Sequence, residues 1–268
     1  GRTPLYAQAV VSTWEPCGTV NAVIVTGNTV YIGGDFTSLV PSTSATGYGA
    51  FFSKTTGKAD TTFPRINGAV RCILPDGANG FYIGGSFTEV GNVKRNGVAH
   101  LHANGSLDPW DPNVGGSVGC MVRKGDTIYF GGNFSSIGGQ TRYNIGAAHA
   151  TTGTLLAWNP SVSNGIYSMC ATGNTLFIGG YFTSIDGQSR EKLASFDLST
   201  GNLTSWNPGT DGYISSMHAF NNKIFVGGNY TTIAGVTRSA LCVLDATTGT
   251  ASALNFSMST YNEVFTFL

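Results

Sequence analysis

Charge is scarce in this chain. Only 10% of its 268 residues are Asp, Glu, Lys or Arg, against about a quarter in an ordinary globular protein. The 14 basic and 14 acidic residues cancel to a formal net charge of zero. Nothing here attracts phosphate backbones or anionic lipid in bulk, so nucleic acid is not an expected partner. Long apolar runs are missing too, and membrane insertion is not expected. No segment sustains a 3.6-residue apolar period, so almost no helix is expected. The five cysteines, Cys17, Cys72, Cys120, Cys170 and Cys242, include no Cys-x-x-Cys pair. A zinc site is therefore not expected, and an odd count leaves at least one free thiol, read as a small buried hydrophobe. The start, "GRTPLYAQ", has no initiator Met and no signal-peptide pattern, which reads as a mature or excised segment.

Glycine is what the chain has in excess, 38 residues. Five diglycines stand in strand-like runs: "YIGGDF", "YIGGSF", "YFGGNF", "FIGGYF" and "FVGGNY". Their first glycines are Gly33, Gly84, Gly131, Gly179 and Gly227, spaced by 51, 47, 48 and 48 residues. A fixed period of this size marks a repeat architecture. Each period holds four extended runs, rich in β-branched and aromatic residues and divided by turn signals such as "TGNT" and "STGN". Labelled A to D in the fourth period, they are Ile166 to Thr172, Asn174 to Ile185, Lys192 to Leu198 and Leu203 to Pro208. Four antiparallel strands in about 48 residues is the pattern of a β-propeller blade. The expected fold is thus an all-β single domain, residues 1–268, with repeats at about 20–68, 69–116, 117–164, 165–212 and 213–260.

Diglycine in an inner strand needs a reason, because glycine weakens strands. The expectation is that strand B is covered on both faces, and that the glycines make room for an adjacent sheet or permit a bulge. A phosphate-binding loop is disfavoured, since no helix follows and no Lys-Ser/Thr pair completes it. Landmarks give the blade count. The D position holds Trp14, Phe63, Trp110, Trp158, Trp206 and Leu254, and an Arg opens strand C at Arg95, Arg142, Arg190 and Arg238. "RTPLYAQA" matches "RSALCVLD", so Arg2 reads as opening a further strand C. The count predicts six blades, the sixth assembled from residues 1–19 and 261–268 and lacking a B strand; five blades is the alternative. A donor strand from elsewhere, in the same protein or a partner, would complete it by β-augmentation.

The stretch "YIGGSFTEVGNVKRNGVAHLHANGSLDPWDPN", Tyr82 to Asn113, resembles the YIGGxF-type propeller repeat (the delta-sixty repeat) of bacterial secreted and surface proteins. The resemblance rests on the GG-x-F core, the Arg-Asn-Gly-x-Ala opening of strand C and the Gly-Ser-Leu-Asp hairpin. It implies a propeller used outside the cell. It brings no activity and no cofactor.

Residues with chemistry are few. His100 and His102 share a strand face, His149 occupies a neighbouring place in the next repeat, and no third ligand completes a metal site. His218 lies on an A strand, where it can meet a ligand in a central channel. Glu15, Asp111 and Asp211 fall near D–A connections, but Asn159 and Asn207 replace Asp111 in other repeats, which indicates turn capping. The candidate binding face joins Arg2, Arg95, Arg142, Arg190 and Arg238 to Trp14, Trp110, Trp158 and Trp206, with His218. Arg beside aromatic rings can hold sugars, peptides or carboxylates; packing between blades is the competing use. Two functions follow as expectations. One is a non-catalytic extracellular module, structural or ligand-binding, with a protein or glycan partner at the cell surface. The other is a carbohydrate-active enzyme or lectin-like module with its site at the channel mouth. They part on whether the non-repeating polar residues Glu15, Arg71, Asp111, Glu191 and His218 converge in one cleft.

Overall fold

The computed structural model describes residues 15–40, 46–60 and 63–256. Within them the five repeats form five sheets of the same build, each ordered A–B–C and antiparallel. The A strands are Glu15–Thr26, Val70–Pro75, Val114–Lys124, Ile166–Thr172 and Tyr213–Phe220. The B strands are Thr29–Val40, Phe81–Gly85, Thr127–Ile137, Thr175–Gly180 and Lys223–Asn229. The C strands are Gly49–Ser53, Val98–Leu101, Ile145–His149, Leu193–Asp197 and Leu241–Asp245. No described residue is helical. The sixth unit expected from 1–19 and 261–268 lies outside the described residues except for 15–19, and these belong to the first A strand.

The diglycines sit in the central strand, and each has two separate reasons. The A–B register slips at a shared place in every unit: between Val20 and Ala22, Val70 and Cys72, Val118 and Cys120, Ile166 and Ser168, and Ile214 and Ser216, with a second slip nearer the start of A in units 1 and 3. Each shared slip lies opposite the diglycine, so A carries one extra residue there, a β-bulge. The second glycine faces that bulge. A Cβ on Gly34, Gly85, Gly132, Gly180 or Gly228 would run into the A-strand carbonyl of Thr19, Ala69, Ser117, Gly165 or Tyr213. The first glycine faces the next unit instead. A Cβ on Gly33 would stand 2.6 Å from Val70 Cγ1, and one on Gly179 would stand 2.6 Å from Ile214 Cγ2.

That close approach shapes the whole stack. Each A strand packs against the A strand of the next unit, and each B strand against the next A strand, whereas C strands make no comparable contact with one another. Sheets that touch along one edge and splay along the other fan out around an axis, with the A strands innermost. The apolar core accordingly lies between units. One cluster joins units 2 and 3 through Tyr82, Trp110, Val118 and Phe130; another joins units 4 and 5 through Phe177, Trp206, Ile214 and Val226. The aromatic residues two places after the diglycines, Phe36, Phe87, Phe134, Phe182 and Tyr230, are all buried. A single sheet could not cover these faces; neighbours do so.

The fourth strand is shorter than the sequence predicts. Unit 1 has a two-residue strand, Ala59–Asp60, and the other units have single bridges: Leu101 to Leu107, Ala148 to Leu155, Phe196 to Leu203, and Leu244 to Ala251. The D segment makes backbone bonds to C, as Asp108 N–H does to His100 O at 2.9 Å, and then leaves the ladder. A side-chain turn takes over. Asp108 Oδ1 accepts from Trp110 N–H at 2.8 Å, Thr204 Oγ1 from Trp206 N–H and Ser252 Oγ from Leu254 N–H, both at 3.1 Å. The D–A connections then bridge the B–C hairpins, Ile66 to Val90, Val162 to Ile185 and Thr210 to Ile233, so both sets of loops share one face.

Candidate functional site

The arginine series is committed to the fold. In each case Nη2 donates to the carbonyl that ends the D segment: Arg95 to Asp108 at 3.0 Å, Arg142 to Leu156 at 3.3 Å, Arg190 to Thr204 at 3.0 Å and Arg238 to Ser252 at 3.5 Å. Nη1 donates to the carbonyl just before the arginine, at 2.8–2.9 Å. The guanidinium thus ties the opening of C to the end of D in its own unit. The tryptophans tie units together. Nε1 of Trp110, Trp158 and Trp206 donates to His149, Gly201 and Asp245 carbonyls of the following unit, at 2.9, 2.9 and 3.1 Å. Their rings meet Tyr82, Tyr129 and Phe177 edge-on, with centroids 4.9–5.3 Å apart. Arg2 and Trp14 lie outside the described residues.

The histidines are engaged locally, apart from exposed His218. His100 stands between two carboxylates, Nε2 at 3.1 Å from Asp76 Oδ2 and Nδ1 at 3.6 Å from Asp108 Oδ2, and stacks on Tyr82. His102 reaches Asp108 at 3.1 Å and His149 reaches Asp126 at 3.3 Å. Burial works against ionisation of Asp76, but bonds from Ala78 N–H, His100 and Gly80 N–H hold its carboxyl below the usual range. No group of three or more His, Cys, Asp or Glu among the described residues is placed to hold a metal ion. All five cysteines are free, and burial pushes the Cys72 and Cys170 thiols up to about 12, so neither is a ready nucleophile.

The non-repeating polar residues do not meet. Glu191 pairs with adjacent Lys192 at 3.0 Å. Asp111 lies 3.8 Å from Arg95 and accepts from Asn113 N–H at 3.0 Å. Arg71 stands apart from both, on the second A strand, and it marks a feature that sequence reasoning missed. Arg71 is the extra residue of its bulge, and the matching residues are Asn21, Gly119, Tyr167 and Ser215. Around them the repeat is regular: Val70, Val118, Ile166 and Ile214 are fully buried. The bulge residue itself changes in every unit. It lies off the ladder on the inner strand of the fan, and its uses differ: Asn21 Nδ2 donates to Val70 O at 2.9 Å and Ser215 Oγ to Gly227 O at 3.4 Å, while Arg71 donates to no described residue. A second varied position follows the diglycine, at Asp35, Ser86, Asn133, Tyr181 and Asn229, all exposed.

These two positions build a cleft of about 280 Å³, lined by Arg71, Ser117, Gly119, Gly132, Asn133, Ile166 and Tyr167. Three consecutive units contribute. Arg71 forms one wall and Tyr167, 43% exposed, forms the other. Gly119 opens the floor between them. The Arg71 guanidinium has no hydrogen bond or ion pair to any described residue, unlike the structural arginines. Larger grooves, such as one of about 430 Å³ beside Trp158 and Gly201, lie between units and recur from interface to interface, as the packing repeats.

Comparison with known proteins agrees with this architecture. Residues 82–109 and 221–249 match the family model described as "Domain of unknown function (DUF5122) beta-propeller". The matched segments cover the B–C core of units 2 and 5, where the diglycine and the strand-C arginine stand. The chain is a β-propeller. Among solved structures, the extracellular domain of the one-component system BT4673 from B. thetaiotaomicron aligns over 92% of this chain with a TM-score of 0.56 and 16% identity. The propeller described here spans 30% of that structure's length. The computationally designed Ika8 protein aligns over 87% of this chain and 86% of its own, with a TM-score of 0.45 and 15% identity. No curated protein matches the chain.

Proposed function

We propose that this propeller is a non-catalytic extracellular module that binds its ligand at the mouth of the central channel. The observation that carries the reading is the contrast between the two kinds of position. Arginines and tryptophans that recur in every unit are spent on intra-unit and inter-unit hydrogen bonds. Side chains that differ from unit to unit, Arg71 and Tyr167 among them, line the inner cleft. Function in a repeated fold is carried by sites grafted onto it, not by what the fold itself requires. No pair of carboxylates lines that cleft, so the geometry favours binding over acid–base hydrolysis.

The reading includes a ring of six blades, each a repeat of the YIGGxF type. Val20 of unit 1 is 36% exposed, whereas its counterparts Val70, Val118, Ile166 and Ile214 are buried against the preceding unit. Val23 and Val25 on the same strand are also exposed. A sixth blade built from the two ends of the chain, without the Glu15–Thr19 segment that belongs to the first A strand, and with a donor strand in the B position, would cover them. A surface or adhesive protein is the setting that suits such a module.

The test is a glycan and protein array probed with wild-type chain and with an Arg71→Ala/Tyr167→Ala double variant of unchanged melting temperature. Binding lost in the variant supports the reading. Binding that the variant retains, or that maps to the tryptophan grooves, overturns it.

A further inference from the structure

We infer that the inner cleft recognises a carboxylate-bearing sugar, a uronic acid unit of an acidic polysaccharide, held between Arg71 and Tyr167. The inference rests on the channel-mouth reading and adds the ligand's chemistry to it.

Charge is the first argument. Arg71 is exposed and without a partner among the described residues, and the cleft lining contains no Asp or Glu. A guanidinium left open in this way matches a carboxylate, which it can bind through two parallel hydrogen bonds. Neutral sugars leave that capacity unused. The opposite wall gives the second argument. The Tyr167 ring is partly exposed, offering a flat apolar surface to the C–H face of a pyranose and a phenol at its rim. Ser117 and Asn133 add a hydroxyl and an amide between the two walls. At about 280 Å³ the cleft is at the small end of ligand sites, a size suited to one sugar ring.

Gly119 is the third argument. Its backbone is not in the left-handed region, and an added Cβ would stand 3.3 Å from Ile166 O, its nearest neighbour. The diglycines meet far closer obstacles. An added Cβ here needs a shift of a few tenths of an ångström from that carbonyl, a lighter constraint than the diglycines carry, and any longer side chain on this bulge would narrow the space between Arg71 and Tyr167. A peptide strand is the weaker occupant. The inner edge of each A strand is interrupted by its bulge at cleft level, which removes the regular row of backbone groups that strand addition needs.

The experiment is titration calorimetry at low and moderate salt with three probes: trigalacturonate, its methyl ester and an acetylated triglutamate peptide. Trigalacturonate should bind, with affinity falling as salt rises. The ester keeps the ring and loses the charge; it should bind about tenfold or more weakly, as should Arg71→Met with the acid. Tyr167→Ala should weaken the acid and the ester alike, and Gly119→Gln should block both. Arg71 and Tyr167 are exposed, so those variants should melt near wild type, which verifies folding; Gly119→Gln is scored only with its melting temperature near wild type as well. Acid and ester binding equally, with Arg71→Met neutral but Tyr167→Ala deleterious, would overturn the carboxylate inference and leave the channel-mouth reading intact. Peptide bound in preference to uronate would overturn the sugar. No binding of any probe, alongside array binding that the double variant abolishes, would overturn only the ligand class; array binding that survives the double variant removes both.

Discussion

Alanine at Gly131 and at Gly132 should cost different amounts, although the two residues are neighbours. At Gly131 the new methyl would stand 2.7 Å from Cys120 Sγ, 2.7 Å from Met169 Sδ and 2.8 Å from Ile166 Cγ2. Those are side-chain atoms at the interface of units 3 and 4, and the Met169 thioether can turn away. Overpacking of this kind costs about 1–3 kcal/mol. At Gly132 the methyl would enter the Ser117 carbonyl and stand 2.9 Å from Val118 Cα. Those are backbone atoms of the paired A strand, which cannot rotate aside. Relief means opening the A–B ladder at the bulge, losing one or two hydrogen bonds of about 1 kcal/mol each on top of the overpacking, so about 3–5 kcal/mol in all. At about 2–4 °C per kcal/mol for a domain of this size, that is a fall of about 6–20 °C in melting temperature, against about 2–12 °C at Gly131. Urea and thermal unfolding followed by tryptophan fluorescence reads this directly, because Trp110 and Trp206 lie in the inter-unit cores. Gly119→Ala, whose methyl meets only Ile166 O within 3.4 Å and needs a shift of a few tenths of an ångström, is the internal comparison and should cost less than Gly132→Ala. Gly132→Ala melting within about 2 °C of wild type, or costing less than Gly131→Ala, would refute the two-reason account of the diglycine.

Three further outcomes follow from particular residues. Arg190→Met removes donors to Ser189 O at 2.8 Å and Thr204 O at 3.0 Å, while Nε is already buried without a partner; the net loss in denaturant unfolding should be about 2 kcal/mol, and Arg190→Lys should not restore it, because one ammonium cannot span the fork. Tyr31→Phe should be neutral or stabilising by up to about 1–2 kcal/mol, since the Tyr31 hydroxyl is fully buried with no hydrogen-bond partner and Phe177 and Phe225 hold the same place in units 4 and 5; a loss above about 1 kcal/mol would reveal a partner for that hydroxyl. Burial alone would raise Asp211, but the Thr231 hydroxyl and the Thr231 and Thr232 N–H groups outweigh it and bring the carboxyl down to about 2. A depressed folded-state pKa contributes stability above the unfolded value of about 3.9, lost as pH falls toward 2. Melting curves from pH 5 to pH 2 should therefore fall less steeply for Asp211→Asn than for wild type; identical slopes would contradict the assignment.

The repeat, the inner position of the diglycine strand and the shared face of the B–C and D–A loops were legible in the sequence, because period and turn chemistry are local signals. The length of strand D was not. "LTSWNP" reads as a strand by composition. Its departure from the ladder is decided by Arg190, 14 residues earlier, which claims the Thr204 carbonyl, and by a hydroxyl turn at Thr204. The cleft was legible only as one name, Arg71, among scattered polar residues. Its relation to Gly119 and Tyr167 depends on a one-residue bulge in each A strand, and a shift of one residue exchanges the two faces of a strand. Without the register, Tyr167 and Ile166 are interchangeable neighbours in an apolar run; with it, Ile166 is fully buried and Tyr167 lines the cleft beside Arg71.

The bulge therefore does two things at once. It relieves the crowding where the sheets converge, and so is required in every unit, which is why a diglycine stands opposite each one. It also lifts one side chain per unit out of the alternation of the inner strand, beside Val70, Val118, Ile166 and Ile214, which are held to packing roles. Structure fixes where that residue is and leaves open what it is. On the proposed channel-mouth reading, such a chain changes its ligand by substituting one residue per unit, with the inter-unit core untouched. Exchanging Arg71 and Tyr167 between their units should test this: stability stays near wild type because both positions are solvent-facing, while the charge moves from the second unit to the fourth. Trigalacturonate affinity surviving that exchange unchanged would show that the ligand does not read the order of the units. Affinity lost in the exchange, with the melting temperature unchanged, would show that it does.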